Sequence, residues 1–354
     1  MATTFAVPDG RVAMAATLYT GNGTTQTVNN AVNTVSFQPD LVWVKNRSAG
    51  YNHVLQDSIR GATAAAKLGS NLLEEEGGVN LAPYGNVSAF NSNGFSLVAG
   101  SIDSRQTNAG GNNFIGWQWK AGGTAVSNTA GTITSTVSAN TTAGFSVVTY
   151  TGTGANATVG HGLGVVPGMI IIKSRSVATN WIVYHSSIAP TAHLALNITD
   201  VVYTDVAFNN TAPTNSIFSI GPNGYSVNNP SATYVAYCWA PVAGYSAFGS
   251  YTGNNSADGP FIYTGFRPRW ILIKSSTVAT SWYLLDSARE TYNEEKIFLY
   301  PDLGQADSPQ AYGVDFLSNG FKIRAPTGYG LNNASATYIY AAFAENPLKY
   351  ANAR

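Results

Sequence analysis

Two runs of carboxylates are the first residues in this chain that could do chemistry. Glu74, Glu75 and Glu76 are consecutive, and Glu294 and Glu295 form a second pair. Enzymes that cleave glycans need two carboxylates flanking the scissile bond, about 5 to 10 Å apart. The sandwich-fold glucanases place theirs on one strand as Glu-x-Asp-x-x-Glu or a near variant, and no such string occurs here. We therefore interpret both runs as solvated loop charges, and we predict no catalytic residues and no enzymatic activity.

Cysteine and histidine offer no stronger signal. The only cysteine, Cys238, lies between Tyr237 and Trp239 in an apolar run, which indicates a buried inert thiol. No nucleophile elbow, glycine-rich phosphate loop or Cys-x-x-Cys pair is present. The four histidines show no metal-ligand spacing, so we predict no metal site and no cofactor; they are His53, His161, His185 and His193.

Three polar residues fall at matching points of the chain, each just before a serine. They are Asp57, His185 and Asp286. A catalytic site has no reason to occur three times, so the repetition favours a structural role such as capping a turn.

Aromatic residues could bind sugars by stacking. Five tryptophans lie in or beside repeated strands and are interpreted as core: Trp43, Trp181, Trp239, Trp270 and Trp282. Tyrosines in less regular segments are better ligand-binding candidates, because an exposed Tyr offers an apolar face and a hydroxyl at low entropic cost. These candidates are Tyr292, Tyr300, Tyr312 and Tyr329.

The composition excludes several classes of protein. Only 10% of the 354 residues are charged and the formal net charge is +0, so no basic surface is available for nucleic acid. The first residues lack the basic and apolar regions of a signal peptide. The longest apolar stretch, residues 165–172, is far shorter than the roughly 20 residues that span a bilayer. We expect neither nucleic acid nor a membrane among its partners.

These candidate residues must be positioned by strands, and one strand occurs three times. Residues 39–45, 167–173 and 268–274 each begin at a proline, pass through four apolar positions and end at a lysine. Short apolar runs limited in this way predict strands buried on both faces, with Trp43, Ile171 and Leu272 at their centres. We call them the opening strands.

Other landmarks recur around each opening strand in a fixed order. Tyr-Thr-Gly precedes it at residues 19, 150 and 251, Asn-Gly follows at residues 93, 223 and 319, and an aromatic-rich strand comes last. Asn-Gly between apolar runs is the strongest short hairpin signal. Repeats of about 100 residues suit β-sandwiches, so we predict an all-β protein of three tandem β-sandwich domains, jelly-roll or lectin-like.

The repeats set the predicted boundaries. Repeat one covers residues 1–121 including an N-terminal arm, repeat two covers 144–241 and repeat three covers 242–354. Residues 122–143 are rich in Ser, Thr, Asn and Gly and are predicted to be a linker, although residues 133–137 could form an edge strand. Residues 1–14 are either a flexible tail or a docking strand. The segments after the opening strands diverge most, through either ligand binding or drift in unconstrained loops.

Several strings together resemble a family of tailed-bacteriophage virion structural proteins, of the type found in phages of cyanobacteria. The strings are Phe37-Gln38-Pro39-Asp40-Leu41-Val42-Trp43-Val44-Lys45, Gly144-Phe145-Ser146-Val147-Val148-Thr149-Tyr150-Thr151-Gly152, Val159-Gly160-His161-Gly162-Leu163-Gly164 and Ser318-Asn319-Gly320-Phe321-Lys322. The resemblance extends through nearly the whole chain and implies a tail-fibre-like or lectin-like virion component made in the bacterial cytoplasm. It transfers no catalytic or binding residue.

On this basis we expect a tail fibre or a receptor-binding component that recognises a host glycan. The alternative is a capsid decoration, a head fibre or a tail adaptor that binds other virion proteins. We expect contacts with other virion proteins through the N-terminal arm, and a homo-oligomer with a trimer favoured.

Overall fold

The computed structural model describes residues 5–32, 34–224, 226–326, 328 and 330–344. Within them the chain forms 25 strands and two short 3-10 helices, so the predicted all-β class is confirmed. The two helices lie in repeat one, at Gly10–Val12 and Ala64–Ala66.

Repeat one contains seven strands. They are β1 (Met14–Thr20), β2 (Gln26–Asn29), β3 (Leu41–Asn46), β4 (Val54–Asp57), β5 (Asn86–Asn91), β6 (Gly94–Val98) and β7 (Asn113–Trp119). Strands β1, β7, β3 and β4 form one sheet in that order, and β2, β6 and β5 form a second. The predicted hairpin is confirmed, because β5 and β6 are joined by Ser92 and Asn93.

Repeat two follows with ten strands, two of which come from the predicted linker. They are β8 (Val126–Asn128), β9 (Ser135–Asn140), β10 (Phe145–Thr151), β11 (Ala157–Gly160), β12 (Met169–Ser174), β13 (Ile182–His185), β14 (Ala192–Ala195), β15 (Tyr203–Thr204), β16 (Ile217–Ile220) and β17 (Thr233–Trp239). One sheet of eight strands has the order β15-β14-β13-β12-β17-β10-β9-β8, and β11 pairs with β16.

Repeat three contains eight strands. They are β18 (Ser246–Thr252), β19 (Phe261–Tyr263), β20 (Pro268–Ser275), β21 (Tyr283–Asp286), β22 (Glu295–Phe298), β23 (Ser308–Leu317), β24 (Gly320–Ile323) and β25 (Thr337–Ala344). Its sheets have the orders β18-β25-β20-β21 and β19-β24-β23-β22.

The same strand order therefore occurs three times. In β1-β7-β3-β4, in β10-β17-β12-β13 and in β18-β25-β20-β21, the opening strand lies third, beside the aromatic-rich strand. One face of each four-strand unit packs on a second sheet of its own repeat, around buried rings such as Phe95, Phe218 and Phe321. This packing accounts for one of the two apolar faces of each opening strand.

The opposite faces of the three units pack together in one shared core. Trp119, Trp239 and Phe343 occupy matching positions on the three aromatic-rich strands and all belong to this core. The ring of Trp119 lies 5.9 Å from that of Trp239 and 5.8 Å from that of Phe343. The repeats are thus arranged as a closed ring of three around these residues. Trp43, Ile171 and Leu272 also lie in the shared core, as predicted.

Each opening strand ends on a buried lysine that bonds to a neighbouring repeat. The Nζ atoms of Lys45, Lys173 and Lys274 donate to the main-chain carbonyls of Gly304, Leu73 and Thr199, at 3.0, 2.9 and 2.9 Å respectively. Each also donates to a carbonyl six residues later in its own repeat, that of Tyr51, Thr179 or Thr280. Burial lowers the pKa of Lys45 and Lys173 to about 7 and that of Lys274 to about 8.

Ion pairs join repeat one to repeat two. Arg60 binds both Asp57 and Glu76, and Arg175 of repeat two binds the other Glu76 oxygen at 2.8 Å. The Tyr237 hydroxyl donates to Asp57 at 2.8 Å. A similar series of contacts joins repeats three and one at the matching positions. The indole of Trp117 donates to Asp286, which pairs with Arg289. Asp307 then pairs with both Arg289 and Arg47.

The junction of repeats two and three is uncharged at the matching positions. There Ile188 and Val202 pack against the shared core, and Val202 N–H donates to the carbonyl of Ser276. His185 lies in the place of Asp57 and contacts the carbonyl of Tyr340 through Nε2 at 3.0 Å. Burial lowers the pKa of His185 to about 4, so this contact is between neutral groups at pH 7.

The two terminal and linking segments differ from their predicted roles. The linker is part of the sheet of repeat two, since β9 pairs with β10 and β8 pairs with β9. The N-terminal arm packs on the folded body from residue 5 onwards, because Val7 and Ala13 belong to the shared core. Residues 5–13 are therefore not a free tail, and the docking role expected for the arm stays a prediction.

Candidate functional site

The three opening strands run in the same direction along the ring axis, so the ring has two distinct ends. The opening strands begin at the end where residues 120–145 and 240–246 connect the repeats, and we call it the proximal end. They finish at Lys45, Lys173 and Lys274, and we call that end distal. Loops at the distal end carry no connection between repeats, so they are available to form surfaces.

A depression of about 560 Å³ lies at the distal end of repeat three. None of its described lining residues is charged. They are Val278, Ala279, Thr280, Ser281, Tyr283, Phe298, Tyr300, Leu303, Gln305, Gln310, Gly328, Gly330 and Asn333. Amides and hydroxyls make up most of its accessible surface, so a ligand held here would be neutral and rich in hydrogen-bonding groups.

Three aromatic rings form one wall of this depression. Tyr283 lies 5.7 Å from Phe298 and 5.8 Å from Tyr300, both edge to face. Burial raises the pKa of both tyrosines, so both hydroxyls are neutral donors at pH 7. Gln310 places its amide Nε2 3.4 Å from the Tyr300 hydroxyl. Phe298 is only 1% and Tyr283 only 7% exposed, so the ring surface open to a ligand belongs mainly to Tyr300. That ring lies beside groups that donate and accept hydrogen bonds.

A matching depression of about 550 Å³ in repeat one has different chemistry. It lies between the loop after β3 and the segment before β7 and is lined by Tyr51, Asp103 and Arg105, among others. The Arg105 guanidinium stacks 4.5 Å above the Tyr84 ring and pairs with Asp103. A ligand here would have to compete with that ion pair, which favours repeat three as the candidate site.

The structure separates the four predicted tyrosines. Tyr300 lines the depression, whereas Tyr292 is 86% exposed at another place and Tyr312 is exposed on β23. Tyr329 lies outside the described residues. Sequence reasoning missed Tyr283, Phe298, Gln305 and Gln310, because the first two occupy apolar strands and the glutamines follow no repeated pattern.

The structural role predicted for the three matching polar residues is confirmed. Asp57 Oδ1 accepts from the N–H groups of Ile59 and Arg60, and Asp286 Oδ1 accepts from that of Arg289. His185 Nδ1 accepts from the N–H of Ser187. All three cap the turn that follows their strand, and all three also bond across a repeat junction.

Two of the carboxylates predicted to be solvated are not. Glu76 is held between two arginines, as described above, and Glu295 is buried with its Oε1 unpaired in the described part of the chain. Burial and the neighbouring Glu290 raise the pKa of Glu295 to about 9, so it is neutral at pH 7. The local charge pattern gave no sign of this, because the covering strand β23 comes later in the chain.

Cys238 is buried as predicted, and burial raises the pKa of its thiol to about 12, which makes it unreactive. Among the described residues no group of His, Cys, Asp and Glu side chains could hold a metal ion. No described helix is long and apolar enough to cross a membrane.

The fold and this depression define an all-β protein with a neutral aromatic recess. Residues 12–347 match the family described as Domain of unknown function (DUF7483), and the chain belongs to that family. The match spans all three repeats, in agreement with their shared core. No curated protein and no solved structure matches the chain.

Proposed function

We propose that this protein is a structural component of a tailed-bacteriophage virion that binds a neutral glycan of the host envelope, as a tail fibre or receptor-binding protein. The observation that carries the proposal is the distal depression of repeat three. Its partly exposed Tyr300 ring and its uncharged amides fit the apolar face and the hydroxyl groups of a pyranose. The virion context rests on the sequence resemblance described above.

The proposal includes no catalytic step. Glu295 is buried, Glu76 is occupied by two arginines, and the described lining of the depression holds no carboxylate. A bound glycan would therefore remain intact. We accordingly expect no reducing sugar to be released when the protein is incubated with host envelope polysaccharide.

Binding is tested by titrating the full-length protein with purified host envelope polysaccharide. Tyr300→Ala removes one ring of the wall and should weaken binding about five- to tenfold, since a ring contact is worth on the order of 1 kcal/mol. Tyr292→Ala is the matched control, because Tyr292 is exposed and does not line the depression. Equal affinity for all three proteins would refute the assignment of the site.

The alternative is a capsid decoration, a head fibre or a tail adaptor that binds other virion proteins. Its support is the same resemblance, which does not distinguish positions on the particle. Immunoelectron microscopy of virions with antibody to this chain separates the two: label on tail tips supports receptor binding, and label on the head supports the alternative. The favoured homotrimer is tested by the mass of the purified protein in solution.

A further inference from the structure

The strand that follows each Tyr-Thr-Gly landmark, which is β2, β11 or β19, has a central core residue with two outward neighbours. The core residues are Val28, Val159 and Ile262, all buried between the two sheets of their repeats. Their neighbours are Thr27 and Asn29 in repeat one, Thr158 and Gly160 in repeat two, and Phe261 and Tyr263 in repeat three.

The edge beside this strand is covered in repeat two by the chain itself. Residues 131–135 run along β11, with a parallel bridge between Ile133 and Val159. Ile133 N–H donates to the carbonyl of Thr158 at 3.0 Å, and the Ser135 hydroxyl donates to the carbonyl of Gly160 at 2.9 Å. The N–H of Thr158 donates to the Thr132 hydroxyl at 2.8 Å. The outward main-chain groups of β11 are thus paired by an added strand.

The corresponding edge of β19 presents the same groups. Ile323 N–H donates to the Pro260 carbonyl and Thr264 N–H to that of Asn319, which places the bonded positions at 260, 262 and 264. The main chain of Phe261 and Tyr263 therefore points away from β24. Within the described residues, no other segment hydrogen-bonds to it there.

The side chains on the edge of β19 differ from those on the edge of β2 in repeat one. In repeat one, where no strand is added, the outward residues Thr27 and Asn29 are small and polar. In repeat three they are two aromatic residues, with Phe261 46% and Tyr263 69% exposed. The Phe261 ring lies across Gly320, where a side chain would meet it at 3.0 Å. Proteins normally protect free strand edges with charge, and an apolar free edge marks a pairing site.

We propose that β19 binds an extended, uncharged segment of a partner polypeptide by strand addition, in the parallel orientation that residues 131–135 adopt along β11. The segment is short, rich in Thr and Ser, and carries an aliphatic residue at the position of Ile133. Main-chain bonds to Phe261 and Tyr263 supply the pairing, and the exposed parts of the two rings supply apolar contact beside it. This site is separate from the depression of repeat three and does not depend on glycan binding.

The test uses the full chain with ¹⁵N-labelled Phe and Tyr, and a synthetic peptide with the sequence of residues 129–137. The amide signals of Phe261 and Tyr263 should shift, and their hydrogen exchange should slow, as the peptide is added to millimolar concentration. The same peptide methylated on the nitrogen equivalent to Ile133 N should have no effect. Unchanged Phe261 and Tyr263 signals, or equal effects of both peptides, would overturn the proposal.

Two variants distinguish the contribution of the rings to peptide binding from that of the main-chain hydrogen bonds. Phe261→Thr combined with Tyr263→Asn installs the residues of repeat one and should weaken peptide binding about tenfold, the sum of two cross-strand aromatic contacts. Tyr263→Pro removes the outward N–H and leaves the β24 pairing intact, so it should abolish binding. If maltoheptaose shifts the Phe261 and Tyr263 amide signals and the peptide does not, the rings are a sugar platform and strand addition is wrong.

Discussion

The indole of Trp181 donates its Nε1–H to the main-chain carbonyl of Gly69 in the preceding repeat, at 2.8 Å. Trp282 makes the same bond to Ala195, also at 2.8 Å, and His53 occupies the matching position with Nε2 3.0 Å from the carbonyl of Tyr300. At this position of each repeat, one side chain therefore forms a hydrogen bond to the main chain of one neighbouring repeat. The ring closes because repeat one reaches repeat three.

Removing one of these bonds should destabilise the whole ring. Trp181→Phe keeps an aromatic ring but removes the indole bond, so that the Gly69 carbonyl retains only its bond from the N–H of Leu72. The loss of one such hydrogen bond costs about 0.5–1.5 kcal/mol. The measurement is denaturant unfolding followed by fluorescence and circular dichroism. Trp270→Phe is the matched control, because the indole N–H of Trp270 is buried without a partner in the described structure and no bond is lost. Equal losses in both variants would show that the indole bond contributes nothing.

A single repeat should not fold alone. In residues 122–241, which include β8 and β9, one face of the sheet buries Val147, Ile171, Val183 and Tyr237 in the core shared with the other repeats. In isolation that face would be exposed to water, at a cost of about 25 cal/mol per Å² of apolar surface. We expect the excised segment to bind a hydrophobic dye and to lack near-ultraviolet circular dichroism. A segment with a sharp, cooperative thermal transition and no dye binding would contradict the shared core.

The junction lysines predict a rise in stability with pH. Burial lowers the pKa of Lys173 to about 7, against about 10.4 in the unfolded chain. Between these values the unfolded state holds a proton that the folded state has lost, so the free energy of unfolding increases as pH rises. The increase should be visible from pH 7 to about 9.5, before the tyrosines ionise in the unfolded chain near their usual pKa of about 10.

The same experiment with variants shows which lysine causes the increase of the free energy of unfolding with pH. We call this increase the slope. Lys173→Met should reduce it, because the variant has no proton to lose at that position. Lys322→Met should leave it unchanged, since Lys322 lies at the surface beside Asp258. A slope that is the same in wild type and Lys173→Met would exclude this lysine as its source.

Deletions of two lengths test the role of the N-terminal arm. Deleting residues 1–14 removes Val7, Ala13 and Met14 from the shared core and should lower the melting temperature by several degrees or prevent folding. Deleting residues 1–4 leaves Val7, Ala13 and Met14 in place and serves as the comparison. If virion incorporation is lost in this shorter deletion while the melting temperature is kept, the docking role predicted for the arm is supported; if incorporation survives, residues 1–4 are not needed for docking.

The sequence by itself determined the strands, their threefold recurrence and the core positions Trp43, Ile171 and Leu272. These features are local, since apolar runs limited by proline and Asn-Gly turns fix strand and hairpin through a few adjacent residues. The continuous apolar character of the opening strands even required that both faces be covered. It did not say what covers the second face.

Only the tertiary structure decided that the second face of each sheet is covered by the other two repeats. Lys45 and Gly304 are 259 residues apart, and nothing near either residue encodes their contact. The depression of repeat three likewise joins Tyr283, Tyr300 and Asn333, which lie in separate strands and loops. Such contacts depend on how preformed sheets pack against one another, and that packing depends on the shapes of whole faces, which periodicity along one strand does not specify.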